Sequence, residues 1–423
     1  MSVAFTAYCL LILFMAEESK DKSADLQACE VATQLVHAGE RLPSPTGAPV
    51  VTPIYATATF TYDSMAEMDA VFADDRQGYV YTRHGNPTVR ALESALQILE
   101  GGAGARAYAS GMAALHAALF ACELAPGATI LAAQDLYGAT TSLLHTIFGA
   151  FEIKIVTADF CDAEELRNKA HEARPRVLIA ETISNPLLKV CDLDLCAEVA
   201  REVGARLIVD NTFASPFLCQ PLRHGADLVV HSATKYLGGH GDATGGLVIT
   251  RDAADMTALT GVMKLAGSIL GVWDAHEILR GLKTLALRQE RQCANARHLA
   301  ERLAAHPHIA RVHYPGLVGN DTRQAILRRM LRAPHAGALV SIELRENTRA
   351  AAFRFMDALG LCVRSTSLGD VFTSVLHPAS ASHRDLAPAR RQQLGISDGL
   401  VRISVGIEAI ADITNDIEQA LVA

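Results

Sequence analysis

No two of the nine cysteines stand in the C-x-x-C spacing of a zinc ribbon or a dithiol redox motif. The nearest pair, Cys191 and Cys196, has no histidine arranged to complete a metal site, so no metal is expected. An odd number of scattered cysteines reads as a reduced, cytoplasmic chain. A surplus of positive charge is missing too. The 38 Lys and Arg are outnumbered by 46 Asp and Glu, interspersed along the chain, for a net charge of −8. A nucleic-acid partner would need a basic face and is not expected. The apolar run "FTAYCLLILFM", Phe5 to Met15, is too short to span a bilayer. It also lacks the basic n-region and small-residue cleavage site of a signal peptide. Two readings are open: a start codon chosen upstream of a true beginning at Met15, or a membrane-associated leader. The first is preferred, and no membrane partner is expected. Internal repeats and low-complexity linkers are also missing.

What is present is ordinary for a globular protein: half of the residues are hydrophobic and a fifth are charged. A length of 423 residues suggests two or three domains with a sizeable core. From about residue 105, short β-rich runs alternate with helical stretches. "ARAYA", "ATILAA", "FEIKIVTADF", "RVLIAE", "RLIVDN", "DLVVHS" and "GLVIT" read as strands; "SGMAALHAALFACEL" and "DLDLCAEVAREVG" read as helices. Continuous apolar strands between helices predict an α/β fold whose mostly parallel sheet is covered on both faces. After Gly281 a long amphipathic helix, "LALRQERQCANARHLAERLAAH", opens a smaller α+β unit containing "GALVSIEL" and "LVRISVGIE". The expected division is an N-terminal arm (1–85), a large α/β domain (86–285) and a small C-terminal domain (286–423).

Ligands of an open parallel sheet bind beyond the carboxyl ends of its strands. Asp210 closes "RLIVD", Asn185 follows "VLIAETIS", and Ser232, Thr234 and Lys235 follow "DLVVH". Alone, Lys235 reads as a solvated loop residue and Asp210 as a cap. Together they suit pyridoxal 5′-phosphate, which needs a lysine for its aldehyde and an acid for its ring nitrogen. "YASGMAAL" offers a helix start whose Gly111 and Met112 N–H groups could face a phosphate, or a plain turn capped by Ser110. In "GYVYTRHGNPT", Tyr81 and Arg83 could bind phosphate or lie on a surface turn. Tyr137 in "DLYGATT" could stack on a planar cofactor or simply pack. Arg402, inside an apolar strand, needs an anionic partner: a substrate carboxylate or a structural ion pair.

These stretches are similar to those of the pyridoxal-phosphate enzymes of cysteine and methionine metabolism. "YTRHGNPT", "ASGMAA", "DLYGAT", "VDNT", "HSATKYLGGHGD", "LRGLKTLALR" and "LVRISVGIE" fall in that family's order, from about Thr33 to the C-terminus. The resemblance implies fold-type I, with Lys235, Tyr137 and Asp210 catalytic. Lys235 would hold the cofactor covalently, Asp210 would pair with its ring nitrogen, and Asn185 would sit near its ring hydroxyl. Gly111, Met112, Ser232 and Thr234 would bind its phosphate. Tyr81 and Arg83 would reach the phosphate of a neighbouring subunit, in a homotetramer built as a dimer of dimers with shared sites. Arg402 would clamp the carboxylate of a small amino-acid substrate, with Ser367 nearby.

The implied reaction is γ-elimination from a methionine-, homocysteine- or cystathionine-like amino acid, giving 2-oxobutanoate, ammonia and a thiol. The alternative is γ-replacement, as in an O-acylhomoserine sulfhydrylase or a cystathionine γ-synthase. Two departures bear on that choice. Thr366 stands where cystathionine enzymes resemble a glutamate, and Ala139 stands where methionine γ-lyases resemble a cysteine. Ile183 replaces a usual proline and is expected only to alter its loop. Trp273, the single tryptophan, stands where the family resembles Ser-Pro.

Overall fold

The computed structural model describes residues 26–40, 49–317, 319 and 321–423. The apolar stretch from Phe5 to Met15 lies outside them. After two short helices, α1 (Val31–His37) and α2 (Met65–Phe72), a longer α3 (Pro87–Glu100) begins. Its ends follow from local chemistry: the Asn86 side chain accepts from Thr88 N–H, Pro87 occupies the first turn, and Gly101 closes it at φ 71°. The α/β core follows: β1 (Gly104–Tyr108), α4 (Gly111–Phe120), β2 (Thr129–Ala133), α5 (Gly138–Leu143), β3 (Lys154–Ala158), α6 (Ala163–Ala173), β4 (Val177–Glu181), α7 (Leu193–Val203), β5 (Arg206–Asp210), β6 (Leu228–Ser232) and β7 (Gly246–Thr250).

These strands form one sheet in the order β1-β7-β6-β5-β4-β2-β3. From β6 through β5, β4 and β2 to β3 every pairing is parallel; β7 runs antiparallel to both β1 and β6. "VLIAE" is buried along its whole length, as a strand covered on both faces must be. Leu178, Ile179, Leu207, Ile208 and Val229 sit in this core at no more than 1% exposure. Truncating one such leucine to alanine costs about 2–5 kcal/mol.

Beyond α8 (Asp255–Ala266) and α9 (Val272–Leu282), the 20-residue α10 (Leu285–Ala304) joins two cores. Leu285 and Cys293 belong to the large one, Leu299 and Leu303 to a second. The second packs a separate five-stranded sheet, built from β8 (Ile309–His313), β9 (Leu339–Leu344), β10 (Val363–Arg364), β11 (Ser374–Leu376) and β12 (Leu400–Ser404), in the order β10-β11-β12-β9-β8. Helices α11 (Arg349–Ala358) and α12 (Ile410–Leu421) cover it.

The glycines after Lys235 have a steric purpose. Gly239 adopts φ 74°, and a Cβ there would lie 2.0 Å from Arg288 Nη1. Arg288 is buried on α10. It donates to Tyr236 O at 2.9 Å and Gly281 O at 2.8 Å, tying the loop after Lys235 to the helix that links the cores. Burial pushes its guanidinium pKa down to about 10. Among the described residues no helix is long and apolar enough to cross a membrane.

Candidate active site

Four parallel-sheet features end at one place. β4 delivers Glu181, β5 delivers Asp210, β6 delivers Ser232 and the turn to Lys235, and α4 begins opposite them at Gly111. A cavity of about 470 Å³ opens there. Of the residues singled out from sequence, Gly111, Met112, Tyr137, Asn185, Asp210, Ser232, Thr234, Lys235 and Arg402 line it. Ser367 is in reach, since Lys235 Nζ donates to its Oγ at 3.4 Å. Tyr81 and Arg83 lie outside the lining. Arg83 Nη1 donates to Lys264 O at 2.7 Å, and its guanidinium sits 5.4 Å from the centre of the Tyr81 ring.

One end of the cavity is made of donors. Ser110 caps α4 by accepting from Ala113 N–H at 3.1 Å, and Ala114 N–H bonds Ser110 O. The N–H groups of Gly111 and Met112 therefore have no acceptor within the helix. A Cβ on Gly111 would lie 2.7 Å from Ser232 Cβ, so only glycine lets the helix start approach that strand end. With the hydroxyls of Ser232 and Thr234, this end is shaped for an anion.

The floor carries carboxylates. Asp210 Oδ1 accepts from Thr212 N–H at 2.9 Å and Thr212 Oγ1 at 2.5 Å. Burial raises its pKa, against the pull of those bonds and of His231. A cation placed over it would restore the anion. Lys235 is held below the usual lysine range by burial and by Arg402, with Asp370 opposing them. The amine is thus moved toward the neutral, nucleophilic form. Arg402 reaches in from β12 of the small domain. It is 2% exposed, Nη1 donates to Asn185 Oδ1 at 2.9 Å, and Nη2 donates to Ser367 O at 3.3 Å. Burial pushes its pKa down to about 10. Tyr137, 41% exposed, stands at the N-terminus of α5 with its ring free to cover a ligand.

Several lining residues carry no mark in the sequence reading. Glu181, Thr140, Thr212, Phe213, Leu368 and Ser382 all face the cavity. Glu181 could have been found by the rule that picked Asp210, because it too closes an apolar strand. Ile183 does more than alter its loop: it is buried and forms part of the wall. Among the described residues no group of three or more His, Cys, Asp or Glu is placed to hold a metal ion.

The family model for Cys/Met metabolism PLP-dependent enzymes matches residues 32–422. An L-methionine gamma-lyase of Pseudomonas putida is 42% identical over 393 residues, covering 93% of this chain and 97% of that protein. A cystathionine gamma-synthase of Mycobacterium tuberculosis is 40% identical over 409 residues, covering 95% and 100%. The crystal structure of cystathionine gamma synthase from Xanthomonas oryzae pv. oryzae in complex with cystathionine superposes with a TM-score of 0.86 at 38% identity, covering 93% and 98%. With a parallel sheet ending in a lysine, an aspartate and an anion-shaped helix start, this chain belongs to the Cys/Met metabolism family of PLP-dependent enzymes.

Proposed function

We propose that the protein is a carbon–sulfur γ-lyase that converts a methionine-like amino acid and water into 2-oxobutanoate, ammonia and a thiol. The observation that carries this reading is the wall beyond Lys235. Thr366, Leu368, Leu376, Ala381 and Ser382 line it, and none of them is ionisable. A methylthio tail meets apolar and hydroxyl surface there. The second ammonium of cystathionine would have no carboxylate partner in that wall.

The cavity fits pyridoxal 5′-phosphate on the structure's own terms. The α4 start with Ser232 and Thr234 would hold its phosphate, Lys235 its aldehyde carbon, Asp210 its ring nitrogen, Asn185 its ring hydroxyl and Tyr137 its ring face. When bound, the cofactor supplies an electron sink for the pair left behind when a proton leaves the substrate's α-carbon. The protein's own groups do the rest. Arg402 binds the carboxylate and fixes the amino acid's orientation. Asp210 keeps the ring nitrogen protonated. Lys235 moves protons at the α- and β-carbons, as its lowered pKa allows. Tyr137, at the cavity mouth, gives the leaving sulfur its proton.

A second reading, γ-replacement on an activated homoserine, is favoured by one feature. Ala139, two residues beyond Tyr137, supplies no thiol where methionine γ-lyases resemble a cysteine. We further propose a homotetramer in which a neighbour's Tyr81 and Arg83 complete the phosphate site. The support is that the phosphate end of this chain's cavity is lined by no cation, while Arg83 lies outside it. Exposed Met65 and Phe72, at 75% and 58%, give the N-terminal arm an apolar face to bury against a partner. Division at 1–85, 86–285 and 286–423, and a cytoplasmic location, complete the proposal. Release of 2-oxobutanoate from L-methionine by holoenzyme tests it; no release from methionine, with an acylated homoserine and a thiol converted instead to a thioether amino acid and the free carboxylic acid, would favour the second reading.

A further inference from the structure

The cofactor floor holds one acid more than that reading uses. Glu181 and Asp210 are partners in register on the adjacent parallel strands β4 and β5, so their side chains share a face. Both line the cavity. Their bonds differ. Asp210 Oδ1 takes two hydrogen bonds from Thr212, one of them from a hydroxyl, whereas Glu181 Oε1 takes the Tyr137 N–H at 2.6 Å and its carboxyl is also reached by the Asn185 N–H. That bond joins β4 to the turn that presents the Tyr137 ring. Asp135 just past β2, Tyr137, Asp210, Lys235 and Arg402 are the titratable groups facing this corner, with His231 acting on Asp210 from the other side of β6.

Two carboxyls paired on one face of the sheet, with Glu181 only 9% exposed, do not readily both ionise. The surroundings favour the charge on Asp210, which has His231 behind it, whereas Glu181 has Asp135 beside it. We propose that Glu181 is a positioning residue of the cofactor site: it carries the proton of a Glu181–Asp210 pair, leaves the single anion on Asp210, and ties the Tyr137 turn to the sheet. The proposal rests on the assignment of Asp210 to the ring nitrogen. The direction of the Glu181 pKa agrees, being pushed well up by burial first and by Asp210 second.

The pair then works as a unit. A neutral Glu181 still accepts from Tyr137 N–H through its carbonyl oxygen, more weakly than the anion would, and adds no second charge beside the ring. An ionised Glu181 would set a second negative charge beside the ring that must accept the electron pair, and so would weaken the electron sink.

The test uses the holoenzyme. In wild type labelled with 13C at glutamate side-chain carboxyls, infrared spectroscopy is expected to show a protonated-carboxyl stretch that moves with the label and is absent from E181Q. E181A, which cuts the tie to Tyr137, is expected to weaken pyridoxal-phosphate retention by about tenfold or more. E181Q is expected to restore most of that loss, because an amide matches a neutral acid. The proposal is overturned if the stretch moves with aspartate label instead. It is equally overturned if E181Q retains the cofactor no better than E181A while both keep the wild-type circular dichroism. A D210N variant that binds cofactor as wild type does would overturn the underlying assignment of Asp210, a result read without any Glu181 variant.

Discussion

Replacing Arg402 with alanine removes the cation that the small domain contributes to the cavity. The guanidinium is 2% exposed, and two of its nitrogens are spent on Asn185 Oδ1 and Ser367 O. Its Nε has no partner among the described residues. A substrate carboxylate arriving at that edge makes a charge-assisted contact with a guanidinium that is almost wholly buried. Truncating one partner of such a buried pair costs about 2–5 kcal/mol. At about 1.4 kcal/mol per factor of ten, kcat/KM should fall by roughly 30- to 5,000-fold. Arg402→Lys keeps a point charge and loses the planar guanidinium, so an intermediate loss is expected. The fold should suffer far less than the activity, because burial already disfavours the charge and pushes its pKa down to about 10. The assay is the initial rate of 2-oxobutanoate formation against methionine concentration, with cofactor absorbance and the thermal midpoint as controls. A kcat/KM within about threefold of wild type, cofactor bound, would refute the reasoning and move the carboxylate site elsewhere.

Other outcomes follow from the same geometry. Lys235 has a lowered pKa, so the folded apo-protein carries an unfavourable buried ammonium below its folded pKa, and that penalty fades as pH rises toward the ordinary lysine value of 10.5. Lys235→Met should therefore raise the thermal midpoint of apo-protein at pH 7 by more than at pH 10; an equal shift at both would contradict this. Gly239→Ala should destabilise by more than the roughly 1 kcal/mol of a left-handed backbone, since its Cβ would lie 2.0 Å from Arg288 Nη1. Chemical denaturation measures it, and a change near zero would mean the loop and Arg288 separate freely. Arg83→Ala and Lys235→Ala subunits, each inactive alone, should regain activity when refolded together if sites are shared; no rescue would place Tyr81 and Arg83 in their own chain's chemistry.

Much of the large sheet can be read from the sequence because its strands are continuous buried runs, such as "VLIAE" and "LVVHS", whose apolar character needs no partner to be visible. The antiparallel entry of β7 cannot be read that way, because direction is set by the loop from Lys235 to Gly245 and not by the apolar pattern of "GLVIT". β8 and β11 escaped for different reasons. Arg311 and its neighbours on β8 are partly exposed at a sheet edge, and β11 is three residues long. The site shows the same contrast. Asp210 and Lys235 stand where strands end, which is a positional rule. Ser382 and Leu368 arrive through loops of the small domain, and only tertiary packing brings them to the wall. Thr212 bonds Asp210 two residues back, as a threonine in many turns could, but it also accepts from Ser232 N–H on β6, a contact that only the pairing of the two strands creates.

The most direct test of the central claim is 2-oxobutanoate release from L-methionine by purified holoenzyme with no added thiol. The account predicts steady release with one thiol per 2-oxobutanoate. No release while the cofactor stays bound would contradict the lyase reading.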